Sequence, residues 1–553
     1  MKGQKLLQML TTCLMSISGL FCFMATISRA ALLPADMILY NGQVITVDKA
    51  FSIAQAVAIR DGKFVAVGNN EEVRALAGPD TKMIDLKGRA VTPGIIDPHV
   101  HPEGVGGNLV ADVQTYDMTS LQQLLERIAA VAAKKKPGEW ITTATNWDKP
   151  QVGGKYPTLK QLDAVTPNNP LRVARGGHYG WANTLAMKLA GITKDTPNPT
   201  GGKIDKDPKT GEPTGLLWEQ AQRLVTKLYP PSDSVANLRK AVPFFNSIGV
   251  TAIGNDGIAL DELEAYHKIK NSGDLTMRVV GMLQINPEMK RDEIFGMINA
   301  IAYSGLKGGG LGDDTFKLVG LKTVNESREG LKPLWPRERL QEVELEAAKK
   351  EVRFSVHCGC ALLEENLGIF QSVNKQFPIT RLRWVMLHSH LPFPSMIPIY
   401  KSLGLVVHHE PGMHFLGRPP EISFGERPGY TPDRLVHPIS EWLKAGVPFS
   451  LSTDAGGGAV VLSIWGSIFV SCNRNRWPGW GEKFNVSREE ALRAATMGGA
   501  YKLGMEEKIG SIEKGKFADL AVLSGNPLTC PDDQIRDINA VMTIVDGKIV
   551  YSR

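Results

Sequence analysis

The stretch Ile96-Asp97-Pro98-His99-Val100-His101-Pro102 carries two histidines one residue apart at the end of an apolar run. Side chains alternate along a β-strand, so the two imidazoles point to the same side when this run is extended. Two imidazoles on one face can bind one transition-metal ion, because neutral imidazole is a common ligand of such ions. In a parallel barrel the functional residues lie at the carboxyl ends of the strands, where this pair falls. Two packed or surface histidines would give the same motif, so the candidate ligands further along the chain decide whether it is a metal site.

Further segments along the middle of the chain have the character of buried strands, and helical segments separate them. SLQQLLERIAAVAAKKK and ERLQEVELEAAKKE, for example, have apolar residues at helical spacing with charged residues between them. Strands that alternate with helices are typical of βα units and a parallel sheet. With VTPGIIDPHVH the strand candidates number eight, as a closed barrel requires. The other candidates are GVTAIGND, MRVVGMLQI, TFKLVGL, RFSVHCGC, RWVMLHSH, LGLVVHHEP and VPFSLSTD.

The two ends of the chain differ from the middle, because short alternating apolar runs are joined there by hairpin-type turns such as Asp61-Gly62 and Asp546-Gly547. We predict an α/β protein with a distorted (β/α)8 TIM-type barrel over residues 93–500. A small β-sandwich is expected from both termini, residues 31–92 and 501–553. Residues 106–224, rich in proline, glycine and asparagine, are predicted to form an insertion subdomain over the barrel mouth.

Residues 1–30 have the pattern of a signal peptide. Two lysines lie within the first five residues, residues 6–27 are mostly apolar, and Ser28-Arg29-Ala30 fits a small-x-small cleavage site. The sequence thus predicts export to a periplasm or secretion. The apolar run is also near the length that spans a bilayer, so a retained membrane anchor is the alternative.

Composition narrows the classes of partner. The chain of 553 residues is 43% hydrophobic and 22% charged, as globular proteins are. Its net charge is +6 and its basic residues are scattered, which does not indicate nucleic-acid binding. We expect a small-molecule substrate, and a membrane partner only if the N-terminal segment is retained. The cysteines beyond residue 30, namely Cys358, Cys360, Cys472 and Cys530, do not indicate a disulfide scaffold.

Polar residues near the ends of several strand candidates can join the two histidines. They are Lys317, His357, His388 and Asp454. Taken singly, His357 and His388 are each explained as buried core histidines, and Asp454 as a strand-end cap. A lysine within an apolar strand is costly to bury unless it is paired or chemically altered. Their occurrence in this order on separate strands indicates one metal-binding constellation.

At this point the chain resembles the metal-dependent amidohydrolase superfamily, in its amidohydrolase family 3 branch, which contains the N-substituted formamide deformylases. The resemblance runs from about Asp36 to the end of the chain. It rests on Pro93-Gly94-Ile95-Ile96-Asp97-Pro98-His99-Val100-His101, Asn146-Trp147-Asp148, YPTLKQLDAVTPNNPLRVARGGHYGWANTLAMKLAGIT, the TPNPTGG loop and SREEALRAATMGGAYKLGMEEKIGSIEKGKFADLAVL.

The resemblance implies an active site with one or two divalent metal ions. Zinc suits a shell of nitrogen and oxygen ligands, with iron and manganese as alternatives. By resemblance, His99 and His101 hold the first ion, a carbamylated Lys317 bridges both ions, and His357 and His388 hold the second. Asp454 then contacts the first ion and is the catalytic residue that moves protons. The family often forms dimers or larger assemblies, which implies a homo-oligomer.

Three further residues have roles in this interpretation. Lys322 is the alternative bridge, although strand parity places it on the opposite side of the strand from Lys317. His178, where the family keeps a histidine, and Trp147 are candidate substrate-binding residues.

The function expected from this constellation is that of an exported hydrolase that cleaves a C–N bond, of amide or N-formyl type, in a small molecule through metal-activated hydroxide. A lactone, carbamate or cyclic imide would suit the same site. The chain departs from the family pattern at Cys358-Gly359-Cys360, at Ser389-His390 and at His408, His409 and His414. These departures keep open a non-catalytic binding or regulatory protein on the same barrel.

Overall fold

The computed structural model describes residues 33–553 apart from 178, 200, 230–231, 304–309, 327–331, 417–419, 421–423, 426–428 and 458–462. The predicted signal peptide and the candidate substrate residue His178 therefore lie outside the described residues. Within the described part of the chain, every helix is too short or too polar to cross a membrane.

Strands occur along most of the described chain. In chain order they are β1 (Met37–Tyr40), β2 (Gln43–Ile45), β3 (Ile53–Ala54), β4 (Ala56–Arg60), β5 (Lys63–Gly68), β6 (Lys82–Asp85), β7 (Ala90–Pro93), β8 (Ile95–Asp97), β9 (Ile141–Thr142), β10 (Leu171–Arg175), β11 (Tyr179–Ala182), β12 (Gly202–Lys206), β13 (Pro213–Glu219), β14 (Val250–Ile258), β15 (Arg278–Gln284), β16 (Leu311–Gly312), β17 (Phe316–Val324), β18 (Arg353–His357), β19 (Val385–Leu387), β20 (Val407–His409), β21 (Phe449–Leu451), β22 (Leu520–Leu523), β23 (Ala540–Val545) and β24 (Lys548–Ser552).

Helices lie between these strands and follow most strands of the central sheet. They are α1 (Asn70–Arg74), α2 (Pro102–Val110), α3 (Leu121–Ala132), α4 (Leu159–Val165), α5 (Thr184–Leu189), α6 (Arg223–Thr226), α7 (Ser234–Ser247), α8 (Leu260–Asn271), α9 (Arg291–Ala302), α10 (Arg337–Lys349), α11 (Leu363–Gln376), α12 (Met396–Leu403), α13 (Pro411–Phe415), α14 (Ile439–Ala445), α15 (Ile464–Cys472), α16 (Arg488–Arg493) and α17 (Gly499–Leu503).

Two sheets are built from the ends of the chain. One has the strand order β5-β4-β1-β6, and the other has the order β24-β23-β22-β7-β2-β3, so strands from both termini pair directly. Asp61 and Gly62, between β4 and β5, both have positive φ (50° and 72°), as a type I′ hairpin turn requires. Leu39, Phe64 and Leu520 are among the apolar side chains buried in one cluster between these strands.

The central sheet contains seven strands, and six of them run parallel in the order β19-β18-β17-β15-β14-β8. The seventh, β16, pairs antiparallel with β17. A separate parallel pair, β20 and β21, completes the series of eight, and a single bridge between Val385 and Val406 joins it to β19. This is a mixed α/β fold with a curled parallel half-barrel. The fully closed (β/α)8 barrel predicted from the sequence is not confirmed, because the three-residue strands β20 and β21 form a sheet of their own and do not extend the central sheet.

Hydrogen bonds nevertheless bring the segments after the first and last of these eight strands together. Thr453 donates from its backbone N and its Oγ1 to the two carboxyl oxygens of Asp97, over 3.1 and 2.6 Å. The backbone N of Asp454 donates to the His99 carbonyl over 3.0 Å. Burial raises the pKa of Asp97 to about 7. The histidine motif after β8 is thereby held beside the acid that follows β21.

The predicted insertion contains its own five-stranded sheet, in the order β12-β13-β11-β10-β9. Its helix α4 begins with a capping box, because Thr158 and Gln161 satisfy each other's backbone N–H groups. Trp147, Val173 and Trp181 are buried in a separate apolar cluster there. The insertion thus has a core distinct from that of the central sheet.

Candidate metal centre

Three buried side chains from distant parts of the chain form the centre of the site. His99, His388 and Asp454 each offer a ligand atom, and these atoms all lie within 4.8 Å of one another. Nε2 of His99 is 3.5 Å from Oδ1 of Asp454, and Nε2 of His101 is 3.4 Å from the same oxygen. His101 ends the extended segment because Pro102 occupies the first position of α2. Both imidazoles of the motif therefore face the acid after β21.

The backbone at two of these residues is held in a conformation that non-glycine residues rarely adopt. φ is 62° at His388 and 54° at Asp454, in the left-handed region. Such conformations persist only where the surrounding structure enforces them, and they are concentrated at functional sites. His388 directly follows β19 and Asp454 lies three residues beyond the end of β21, so both unusual conformations occur at the carboxyl end of a short strand.

The electrostatics of the centre suit a cation. Burial alone would raise the pKa of Asp454, but the hydrogen bond from His101 and the neighbouring His99 and His388 hold it below its ordinary value. Burial lowers the pKa of His99, which favours the neutral imidazole that a metal requires. Neither ring nitrogen of His99 has a hydrogen-bond partner among the described residues. A divalent metal ion would satisfy these groups, and the donor set fits one.

His357 adjoins this centre at the end of β18. Its ring centroid lies 4.4 Å from that of His388. Val324, the last residue of β17, is its partner across the sheet. The structure therefore brings together His99, His101, His357, His388 and Asp454.

The prediction for Lys317 needs correction. Lys317 is the second residue of β17, at the amino end, and its Nζ lies 3.6 Å from Asp314 Oδ1 in a side chain that is 20% exposed. The sequence interpretation ended this strand too early. The strand continues to Val324, seven residues beyond Lys317, so its carboxyl end lies about 23 Å from Lys317 at roughly 3.3 Å per residue.

Lys322, which the sequence analysis held as the alternative, lies at the carboxyl end of β17 and is only 5% exposed. A Cβ atom placed on Gly257 would lie 3.4 Å from Lys322 Nζ and 3.6 Å from His101 Cε1, so the lysine is beside the histidine motif. Burial lowers the pKa of Lys322, while Asp256 and Asp454 act in the opposite direction. Of Lys317 and Lys322, Lys322 is therefore the lysine that lies beside the histidine motif.

Sequence reasoning missed a buried ion pair behind His99. Lys502 Nζ donates to both carboxyl oxygens of Asp256, over 2.9 and 2.7 Å, and to the Pro98 carbonyl over 2.6 Å. Asp256 Oδ2 lies 3.7 Å from Nδ1 of His99. Carboxylates behind a ligating histidine fix its orientation and raise its basicity. The acid at the end of GVTAIGND was the available signal for this residue.

A second missed acid lies behind His388. Glu410 is fully buried, and its carboxylate lies 3.5 Å from His388 Nδ1 and 3.2 Å from His408 Nε2. It also contacts His390 and accepts a hydrogen bond from Ser452 over 2.7 Å. Burial alone would raise the pKa of Glu410, but the surrounding imidazoles hold it well below its ordinary value. The sequence LGLVVHHEP contains this acid at the end of an apolar strand.

The structure does not support Trp147 as a substrate-binding residue. Its side chain is fully buried, its Nε1 donates to the Ala174 carbonyl over 2.6 Å, and its ring packs against Trp181 and Tyr156. A side chain enclosed in the core of the insertion cannot line an open site. Cys358 is likewise buried within the core.

The chain belongs to the amidohydrolase family, whose sequence profile matches residues 82–551. The resemblance noted from the motifs is thus confirmed. The protein is an enzyme, a metal-dependent hydrolase of carbon–nitrogen bonds.

Individual relatives cover almost the whole chain. The N-substituted formamide deformylase of Arthrobacter pascens is 27% identical, over 94% of this chain and 98% of that protein. Among solved structures, a metal-dependent hydrolase from Pyrococcus horikoshii has a TM-score of 0.67 at 19% identity, over 90% of this chain and 99% of that one. An atrazine chlorohydrolase from Arthrobacter aurescens, complexed with zinc, has a TM-score of 0.55 at 15% identity, over 93% and 95% of the two chains. The two solved structures share the fold.

Proposed function

We propose that this protein hydrolyses the C–N bond of a small amide or N-formyl compound with water activated by one or two divalent metal ions. The observation that carries the proposal is the convergence of His99, His388 and Asp454, whose ligand atoms lie within 4.8 Å of one another at the ends of three different strands. The formamide deformylase relative supports the N-formyl class.

The residues of the site divide into two ligand sets. His99, His101 and Asp454 would hold one ion, and His357 and His388 would hold the other. Lys322 would bridge them as a carbamate, which converts a buried cation into an anion with two oxygen ligands. Zinc is the ion we propose first, because the donors are nitrogen and oxygen.

A bound divalent ion would lower the pKa of a water molecule towards neutrality and polarise the scissile carbonyl. Asp454 is ionised at neutral pH because its pKa lies below the ordinary value, so it can accept the proton of the attacking water at a carboxyl oxygen. The same carboxyl group then returns that proton to the leaving nitrogen. Asp256 and Glu410 keep the rings of His99 and His388 in place throughout.

Several broader features complete the proposal. The eight strands would act as one distorted (β/α)8 barrel, with the strands of both termini as a β-sandwich and residues 106–224 as a cover. The signal-peptide pattern of residues 1–30 supports export. The dimers and larger assemblies that the family often forms support a homo-oligomer.

The test is turnover of metal-loaded protein on a panel of N-substituted formamides, simple amides, lactones, carbamates and cyclic imides. We expect the formamides or amides to give the highest kcat/KM. Asp454→Asn should lower kcat by about 10²–10⁴-fold, since it removes the proton carrier. The matched control is Asp314→Asn, which changes an acid near the amino end of β17 and should retain activity. Absence of turnover on every compound by fully loaded protein would overturn the proposal in favour of a binding protein.

A further inference from the structure

A second group of buried histidines lies next to the site already described. His390 follows β19, His414 lies on α13, and His437 immediately precedes the turn into α14. One ring nitrogen of each lies within 4.8 Å of the others, and all three side chains are buried. We refer to these three residues as the histidine cluster.

We propose that the histidine cluster binds its own divalent transition-metal ion, separate from the hydrolytic site. Nε2 of His437 lies 3.2 Å from Nδ1 of His414. Two nitrogens that share a tetrahedral zinc ion at the usual bond length would be about 3.3 Å apart. The rings of His390 and His414 have centroids 4.5 Å apart, and those of His390 and His437 are 4.6 Å apart. The three imidazoles therefore converge as ligands of one ion do.

The charged groups around the histidine cluster include the carboxylate of Glu410 and the guanidinium of Arg474. Nε2 of His390 contacts the buried carboxylate of Glu410, so Nδ1 is the nitrogen that a metal would take. A histidine held by a carboxylate on its far nitrogen is typical of metal sites. The positive charge of Arg474 would repel a metal ion in the cluster. Its guanidinium, however, donates hydrogen bonds to the carbonyls of Val436, His437 and Trp480. Its positive charge is thus already engaged by backbone oxygens.

The backbone supports the assignment independently. φ of His437 is 44°, in the same left-handed region as His388 and Asp454 of the hydrolytic site. The backbone N of His437 donates to the His390 carbonyl over 2.8 Å, which ties two members of the cluster together. Unusual backbone conformations persist where the surroundings enforce them and are concentrated at functional positions.

The surroundings of the cluster are apolar on one side. The rings of Phe415 and Phe424 lie 5.9 and 5.6 Å from that of His437. Nδ1 of His437 is buried and has no hydrogen-bond partner among the described residues. Because Nε2 of His437 is the nitrogen that faces His414, a metal ion bound there would leave Nδ1 as the N–H nitrogen of this ring.

The first experiment counts metal ions per chain by elemental mass spectrometry on the full-length protein. The double variant His414→Gln/His437→Gln should lose one ion relative to the wild type. His267→Gln, a change at an exposed histidine on α8, is the matched control and should lose none. A double variant that keeps the wild-type metal content would overturn the proposal.

A second experiment keeps the histidine cluster intact and decides the question if the double variant does not fold. A variant with His99→Asn, Lys322→Ala and Asp454→Asn should retain one ion, and cobalt loaded in its place should give the visible absorption of a tetrahedral site. Adding His437→Gln should abolish that absorption. A triple variant without any ion would refute the histidine-cluster site. Wild-type turnover would still decide the proposed hydrolysis separately.

Discussion

The buried Lys502–Asp256 pair offers a sharp test of how the site is supported, through the substitution Lys502→Met. Methionine keeps most of the length and apolar volume of the lysine but removes the three hydrogen bonds to Asp256 and Pro98. The two side chains are 2% and 1% exposed, so solvent does not screen their interaction. Breaking a buried ion pair by removing one partner costs about 3–5 kcal/mol, because the other charge stays buried. We expect Lys502→Met to lower the free energy of unfolding by that amount at pH 7.

The pH dependence of this loss follows from the pKa of Asp256. Burial alone would raise that pKa, but attraction to Lys502 and the contact with His99 hold it below its ordinary value. A carboxyl group whose pKa is depressed by folding contributes stability that is present above its unfolded pKa, about 3.9, and lost as the pH falls. In Lys502→Met the attraction to Lys502 is gone, so burial raises the pKa of Asp256 relative to the wild type and this carboxyl takes up a proton as the pH falls. The deficit of Lys502→Met should therefore be largest near neutrality and shrink towards pH 4.

The assay is urea unfolding followed by tryptophan fluorescence, with EDTA present so that differences in bound metal do not contribute. Lys508→Met is the matched control, because Lys508 also contacts both oxygens of an acid, Asp314, over 2.7 and 2.6 Å, but in a pair that is 48% and 28% exposed. That change should cost less than about 1 kcal/mol. Equal effects of the two substitutions, or a Lys502→Met deficit that does not change with pH, would refute the reasoning.

Three further outcomes are expected. Glu344 is fully buried on α10, neither carboxyl oxygen has a hydrogen-bond partner among the described residues, and burial raises its pKa well above the ordinary value. Glu344→Met should raise the unfolding free energy by about 1–3 kcal/mol at pH 7. The wild type should lose stability between pH 5 and pH 8, because the buried Glu344 resists ionisation, and thermal unfolding at the two pH values should show a smaller loss in Glu344→Met. Glu410→Gln should weaken metal affinity by about 10–100-fold in chelator competition, because the carboxylate behind His388 loses its charge; unchanged affinity would argue against that role. Trp147→Phe should leave KM unchanged and cost about 1–3 kcal/mol in urea unfolding, since the Ala174 carbonyl loses its donor, and a raised KM would restore Trp147 as a substrate contact.

The sequence was most informative where a motif and a strand pattern coincide. His99, His101, His388 and Asp454 each follow an apolar run, and the carboxyl ends of parallel strands meet at one edge of a sheet. Their convergence could therefore be predicted without coordinates. The two β-rich ends around a long middle also led to the prediction of one β-sandwich from both termini, and β7 near one end pairs with β22 near the other.

The lysine could not be placed from the sequence because it depends on where β17 ends. The strand continues seven residues beyond Lys317, and the register with β15 shifts between Gly281 and Met282. Parity along an ideal strand does not account for such a shift. The position of Lys322 is a property of pairing with neighbouring strands, which local sequence does not specify.

The buried acids behind the histidines were missed for a different reason. Asp256 is matched by Lys502, which lies 246 positions away in the sequence, and Glu410 is matched by three histidines, two of which follow a different strand, β19. An acid at the end of an apolar strand also occurs as a simple cap. Only the tertiary partner distinguishes these cases, and no local pattern identifies it.

The most direct test of the account is the metal content of Lys322→Ala and Lys317→Ala, purified in parallel with the wild type in metal-replete medium and measured by elemental mass spectrometry. We predict that Lys322→Ala loses at least one ion per chain and its turnover, because the lysine lies beside His101 at the carboxyl end of β17. Lys317→Ala should keep the wild-type metal content and activity, since that side chain pairs with Asp314 at the other end of the strand. Loss of metal from Lys317→Ala together with retention in Lys322→Ala would contradict the assignment of the site.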